Sequence, residues 1–244
     1  MIPKKIHYCW LSDDEMPEQF KRYIDGWRRL MPDYEFILWD FNRFGRNTSQ
    51  WVEEAFARKK YAFAADYIRC YALYHHGGIY LDSDVEVLKR FDSLLELPYF
   101  LGYENGTGGF EAAVIGAEKG AGMYADMLRH YECRSFVKAN GELDTKPLPM
   151  VMRDVFLSKR TVVDINSVEN FDRDDRVLNV FPDCWFSPIN VIDRSRHITD
   201  QTFTIHHFSG SWLPWRERFK TKIKHIVGAR LTRHYIALKK RLTH

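Results

Sequence analysis

No stretch of the 244-residue chain approaches the roughly 18 consecutive apolar residues that a bilayer-spanning helix requires. The N-terminal MIPKKIHYCWLSDDE also lacks the unbroken apolar core of a secretory signal, so the expectation is a cytoplasmic protein. Cysteine is scarce: Cys9, Cys70, Cys133 and Cys184 are widely scattered and form no CxxC pair. That spacing argues against a zinc ribbon or a disulfide framework and leaves reduced, packing thiols. Low-complexity tracts and internal repeats are absent too, which removes solenoids and disordered linkers. What is present, 45% hydrophobic and 28% charged residues, fits one large folded domain or a domain with an appendage, at about 150 residues per domain.

The net charge is only +3 but is unevenly spread. From Arg216 onward the chain carries Arg216, Arg218, Lys220, Lys222, Lys224, Arg230, Arg233, Lys239, Lys240 and Arg241 against the single acid Glu217, and the remainder is acidic. Phe219, Ile223, Ile226, Val227, Leu231, Tyr235, Leu238 and Leu242 recur at helical spacing within this segment. The pattern predicts one or two basic amphipathic helices. It suits a helix lying on anionic lipid, where each basic residue contributes about 1 kcal/mol, and equally a helix packed on the domain with a solvated basic face.

Elsewhere strands alternate with helices. Strands are expected at 5–10, 34–39, 79–82, 99–103, 112–115, 177–180 and 202–206, and helices at 18–30, 49–59, 62–76, 121–131 and 149–157. Alternation of this kind means an α/β sheet, and such sheets bind ligands beyond the carboxyl ends of their strands. At one such end lies HHGGIYLDSDVEV, residues 75–87. Read with period two, Tyr80, Asp82, Asp84 and Glu86 share a face. Two carboxylates held that close resist ionising together, and a cation is the partner that keeps both charged. The glycines Gly77 and Gly78 read first as the C-cap of the preceding helix.

That helix carries Asp66 and Arg69, three apart and on one face, inside the nearly apolar YAFAADYIRCYALY. As a surface ion pair they would matter little; buried, they would need further partners such as ligand hydroxyls. A third cluster is IHHFSGSW, residues 205–212, where imidazole, hydroxyl and indole groups crowd a strand end. Histidine beside two carboxylates suits Mn²⁺ better than Ca²⁺.

Together, IPKKIHYCW at 2–10, ADYIR at 65–69, GGIYLDSD at 77–84 and HFSGSW at 207–212 give the chain its resemblance to the DxD-motif glycosyltransferases of family 32. That group of capsular-polysaccharide and mannosyl transferases also resembles the catalytic domains of large clostridial glucosylating toxins. The resemblance implies a GT-A fold over residues 1–212, a mixed Rossmann-like sheet flanked by helices, followed by the basic helical extension 213–244. It implies a metal-dependent hexosyltransferase that retains anomeric configuration, with Mn²⁺ or Mg²⁺ and a nucleotide-sugar donor, a UDP-hexose first among them. Carried over, Trp10 would stack on the uracil. Asp66 and Arg69 would bind the donor sugar and its ribose or phosphate side, Asp82 ribose and metal, and Asp84 the metal directly. His207 would be the remaining metal ligand, and Ser211 and Trp212 would close over the diphosphate. The acceptor implied is a glycan or lipid-linked saccharide of surface polysaccharide synthesis, with no nucleic acid expected; the basic charge of 216–244, and not the resemblance, is what suggests that the chain meets it peripherally at the inner face of the membrane.

The chain departs from the family in reading DTKPLP at 144–149 where a Gly-Pro pair is common, which touches the acceptor side. The glycine-rich stretch 102–117 is expected to line the cleft there, or to be a surface loop. Two other readings compete. A nucleotidyltransferase also sets two strand aspartates on metals, but it would favour a Gly-Ser pair where this chain has Gly77 and Gly78. A non-catalytic basic module would bind lipid or nucleic acid in a salt-sensitive way without turning over sugar nucleotide.

Overall fold

The computed structural model describes residues 1–45, 48–132 and 134–210. Cys133, Ser211, Trp212 and the basic segment 216–244 lie outside the described residues, and with them the expected boundary at residue 212. A mixed sheet forms the centre, in the order β2 (Glu35–Trp39), β1 (Lys5–Cys9), β3 (Gly78–Leu81), β6 (Val114–Ala117) and β5 (Tyr99–Phe100). Strand β1 runs parallel to both β2 and β3, while β6 is antiparallel to β3 and β5. The chain leaves β1 for β2 on one side and returns to β3 on the other, so the cleft past Cys9 and Leu81 is the switch point of the sheet.

Helices cover both faces. One face buries Ile37, Tyr80 and Ile115 under α3 (Gln50–Ala57), α4 (Tyr61–His76), α5 (Gly122–Glu132) and α6 (Leu148–Leu157). The other sets Ile6, Ile79 and Leu81 against Trp27 of α1 (Glu18–Leu30) and the aromatic group Phe91, Phe100, Phe181 and Phe186. Strand β3 lies between these two cores and is buried at every position, as befits an inner strand covered on both sides. Helix α4 is apolar nearly all round for the same reason. The short helices α2 (Phe41–Phe44) and α7 (Asp183–Phe186) and the strand β7 (Thr161–Asp164), which pairs in parallel with β8 (Val177–Val180), are too brief or too exposed to stand out as sequence patterns.

The period-two reading of 79–87 breaks at its centre. Strand β3 ends at Leu81, a turn closed by the Val85 N–H donating to the Asp82 carbonyl (3.0 Å) follows, and β4 (Val85–Val87) starts afresh to pair with β9 (Thr204–His206). The Tyr80 ring is buried, and its hydroxyl meets the acids at Asp82. The Trp27 indole N–H donates to the Val85 carbonyl (2.9 Å) and fixes the exit of the turn. The strand expected at 112–115 begins two residues later, because the Ala112 carbonyl is taken by Arg69 and the Ala113 N–H by the Glu111 carboxylate. The C-cap reading accounts for Gly77, whose φ is +63° and whose N–H donates to Leu73. Gly78 answers a second demand: at φ +117° inside β3, a Cβ there would stand 2.7 Å from the Lys5 carbonyl oxygen.

His7 ties these strands together. Fully buried, it accepts from the Trp39 indole at Nδ1 (3.0 Å), while its Nε2–H donates to the Gly77 carbonyl (2.8 Å). This tautomer is neutral, and burial lowers the imidazole to about 4. The unfolded chain, with the ordinary value near 6.5, takes up the proton first, so the stabilisation is complete above that pH and is lost as pH falls towards 4. The loss expected is about 3 kcal/mol. Chemical denaturation at pH 7 and pH 4 should show it as a fall in midpoint that His7→Gln diminishes. Equal falls in both proteins would remove His7 from the account.

Candidate active site

The charged groups of the site come from four segments that the sheet brings to one place. Helix α4 contributes Asp66 and Arg69, both buried, with Arg69 Nη2 3.1 Å from Asp66 Oδ1. The same nitrogen reaches Asp82 Oδ1 at 3.4 Å, Nη1 donates to the Ala112 carbonyl at 2.7 Å, and the guanidinium lies 4.6 Å from the centre of the Tyr80 ring. The pair is thus no surface ion pair but a buried hub between the central helix and the aspartate turn. Burial raises the Asp66 carboxyl to about 7 against the opposing pull of Arg69. Asp82 is also raised, by loss of water and by Asp84, with Arg69 acting against both. Its Oδ1 further accepts from the Tyr80 hydroxyl (3.0 Å).

Between the two aspartates, Ser83 donates to the Cys9 carbonyl (3.0 Å) and so fastens the turn to the end of β1. Asp84 Oδ2 accepts from the Ser209 backbone N–H (2.7 Å), which fastens it to the chain beyond β9. The register of β4 with β9, Val85 opposite His206, then sets an imidazole beside the carboxylates. Ligand atoms of Asp82, Asp84 and His206 all lie within 4.8 Å of one another.

The histidine facing the aspartates is His206, and this corrects the expectation for His207. His207 Nε2 donates instead to Glu86 (3.0 Å), and its ring stacks on Tyr23 with centroids 4.9 Å apart. Adjacent residues leaving a strand point to opposite sides, so only one of the two can face the turn. His206 Nδ1–H donates to Glu111 Oε2 (3.2 Å), leaving Nε2 towards Asp84 Oδ1 at 3.6 Å. Burial alone would discharge this imidazole, but Glu111 and Asp84 outweigh it and raise it to about 10. Glu111, 1% exposed, is in turn held by the Ala113 N–H (2.8 Å) and kept ionised by His206 despite its burial. Sequence reading passed over Glu111; its one signal was a lone acid in the apolar run FEAAVIGA.

Two carboxylates and an imidazole oriented by a third carboxylate form a donor set for a divalent first-row ion such as Mn²⁺. Substituting Glu111→Gln should weaken Mn²⁺ binding about ten- to hundredfold by removing the orienting carboxylate. Calorimetric titration of the ion measures this, and unchanged affinity would show that His206 needs no such partner.

These groups sit in a cavity of about 1670 Å³. Trp10 lines one end, its indole N–H donating to the Asp14 carbonyl (2.8 Å) and its ring set edge-on to Phe20. Glu104, Thr107 and Gly109 line the cavity too, so the glycine-rich stretch borders the cleft, as do Pro147 to Met150 from the 144–149 departure. Ser211 and Trp212 are not among the described residues.

An α/β sheet with an aspartate pair at its switch point defines the class: a GT-A fold bearing a DxD motif. Residues 17–101 match the family model described as glycosyltransferase sugar-binding region containing DXD motif, a stretch holding Asp66, Arg69, Asp82 and Asp84. Over 112 residues the chain is 37% identical to mannosyl phosphorylinositol ceramide synthase CSH1 of Saccharomyces cerevisiae, covering 44% of this chain and 30% of that protein. Over 107 residues it is 39% identical to inositol phosphoceramide mannosyltransferase 2 of Schizosaccharomyces pombe, covering 41% of this chain and 30% of that one. The match spans under a third of the length of these relatives. Among solved structures, the PaToxG glycosyltransferase shares the fold with a TM-score of 0.51 at 20% identity, over 64% of this chain and 69% of that one. The resemblance drawn from the motifs and the expected fold class are both borne out.

Proposed function

We propose that the chain is a metal-dependent, retaining glycosyltransferase that moves a hexose from a nucleotide-sugar donor to a glycan or lipid-linked saccharide. The observation that carries this reading is the gathering of Asp82, Asp84 and His206 at the mouth of a cavity with room for a donor and an acceptor hydroxyl. Breaking a sugar–phosphate bond develops positive charge on the ring and negative charge on the departing diphosphate. A divalent ion held by Asp82, Asp84 and His206 would supply the countercharge for that diphosphate.

The protein's own groups do the rest. Arg69 keeps Asp66 and Asp82 in place, with Asp66 directed at the donor sugar's hydroxyls. Glu111 holds His206 with Nε2 towards the turn. Trp10 provides a platform for the base. Retention by front-face displacement, in which the leaving phosphate oxygen takes the acceptor's proton, fits a site in which the metal cluster and the cleft are contiguous.

The names of the two yeast relatives point to mannose and to an inositol-phosphate lipid, which puts GDP-mannose beside UDP-hexoses among the donors to try and a glycolipid among the acceptors. Among the described residues no helix is long and apolar enough to cross a membrane. The basic extension 213–244 would bring the cleft of the 1–212 domain to an anionic leaflet from the cytoplasmic side. Deleting 216–244 should then abolish co-sedimentation with anionic liposomes. The class itself is tested by nucleotide release from UDP- and GDP-sugars with and without Mn²⁺. Metal-dependent release from one donor supports it, and silence across the panel with no metal-dependent nucleotide binding ends it.

A further inference from the structure

We propose that Arg194 binds the diphosphate of the donor and stays with it as it leaves, the second positive charge of the site beside the metal cluster. The inference rests on the nucleotide-sugar reading and adds a residue that no motif marks. When the anomeric C–O bond breaks, its electron pair departs on the phosphate oxygen, which takes the acceptor's proton as the acceptor oxygen bonds to the carbon. Once that proton passes to solvent the nucleoside diphosphate carries one more negative charge than the donor did, more than one divalent ion balances.

Among the described residues, the Lys and Arg side chains lining the cavity are Lys59, Lys60, Arg69, Arg153 and Arg194. Arg69 is already engaged by Asp66, Asp82 and the Ala112 carbonyl. Arg194 is also tied to the cluster, by a short chain of bonds. Its Nη2 donates to the His207 carbonyl (2.8 Å), and the His207 N–H donates to the Asp84 carbonyl (3.2 Å). Burial and the neighbouring Arg196 lower its guanidinium, and Asp84 acts against them. Of the five N–H donors of a guanidinium, the hydrogen bonds among the described residues engage one. The planar fork that remains matches phosphate oxygens better than a lysine would.

The backbone supports the same conclusion. Arg194 has φ +62°, a left-handed conformation that glycine or asparagine adopts at less cost. A short built loop enforces it. Asn190 Oδ1 accepts from the N–H groups of Ile192 (2.8 Å) and Asp193 (3.2 Å), and the Arg194 N–H donates to the Asn190 carbonyl (2.9 Å). Asn190 is itself seated on Gly106, where a Cβ would come within 2.5 Å of its Oδ1. The guanidinium extends from this loop over the Phe208 ring, 5.8 Å from its centre, into the cleft that Asp84 borders.

The test compares wild type with Arg194→Asn, which keeps the left-handed backbone and removes the charge, and with Arg194→Lys. Binding of UDP and GDP, and of uridine and guanosine, is titrated in the presence of Mn²⁺ by NMR. The expected result is about ten- to hundredfold weaker binding of the diphosphate by Arg194→Asn, the worth of a charge-assisted bond, with nucleoside binding unchanged and part of the loss recovered by lysine. Equal diphosphate binding in wild type and Arg194→Asn overturns the proposal. So does a parallel fall for nucleoside and diphosphate, which would make Arg194 a clamp for its loop alone. A wild type that binds neither diphosphate removes the donor reading itself, and the proposal with it.

Discussion

Asp84→Asn is expected to reduce metal-dependent sugar transfer by about a hundred- to a thousandfold or more, the scale of losing one electrostatic stabiliser of developing charge. The asparagine side chain is isosteric and still offers an oxygen to the Ser209 N–H that Asp84 now satisfies at 2.7 Å. The turn from Asp82 to Val85 should therefore stand, since its closing bond is main-chain to main-chain. What goes is the negative charge, and with it one of the three groups gathered within 4.8 Å. Mn²⁺ affinity and transfer should fall together while the circular dichroism spectrum stays that of wild type. Full metal-stimulated transfer in this variant would remove Asp84 as the metal's principal ligand and shift attention to Asp82.

The second large effect falls on stability. Arg69→Met keeps much of the side-chain volume but leaves Asp66 and Asp82 without the cation that reaches them at 3.1 and 3.4 Å, and the Ala112 carbonyl without its donor. Removing one partner of a buried ion pair costs roughly 3–5 kcal/mol, because the remaining charge stays out of water. Asp66 is the deeper of the two carboxylates, and burial already raises it to about 7 with Arg69 present. Neutralising it by Asp66→Asn in the Arg69→Met background should recover part of the lost stability, a coupling that a double-mutant cycle isolates. Denaturant midpoints of the four proteins supply the measurement. An Arg69→Met protein within about half a kcal/mol of wild type would return the pair to the class of surface ion pairs, which rarely contribute more than that. Transfer activity is a poor readout here, because the same substitution removes a group assigned to the donor.

The two predictions separate roles that the sequence runs together. In ADYIR and LDSD all three acids read alike as groups for the donor and its metal. In the folded chain Asp66 belongs with Arg69 in the interior, Asp84 belongs with His206 and Ser209 at the cleft, and Asp82 touches both groups. One carboxylate thus links the hub that holds the helix to the cluster that would hold a metal. This explains how a site made from distant segments keeps its spacing before any ligand arrives.

Much of this was legible beforehand because it rests on short-range rules. The alternation of apolar runs located helices and strands to within a few residues, the near-complete apolarity of α4 announced its burial, and the aspartates at the end of an apolar strand pointed to the ligand edge of an α/β sheet. Motif order, from IPKKIHYCW to the SGSW region, carried the class. Local pattern could not tell His206 from His207, since both leave the same strand and only the pairing of Val85 with His206 decides which faces the turn. Nor could it find Glu111 or Arg194, whose significance lies in partners 95 residues away in one case and 13 in the other. The sequence by itself determined the longer helices and inner strands, the class and the chemical types at the cleft, because propensity, periodicity and motif are local properties. Only the tertiary structure decided which acid is paired in the interior, which imidazole faces the aspartate turn and which cation is bonded to the segment beside it. Those assignments depend on distances and desolvation across strands that the chain does not bring together until it folds.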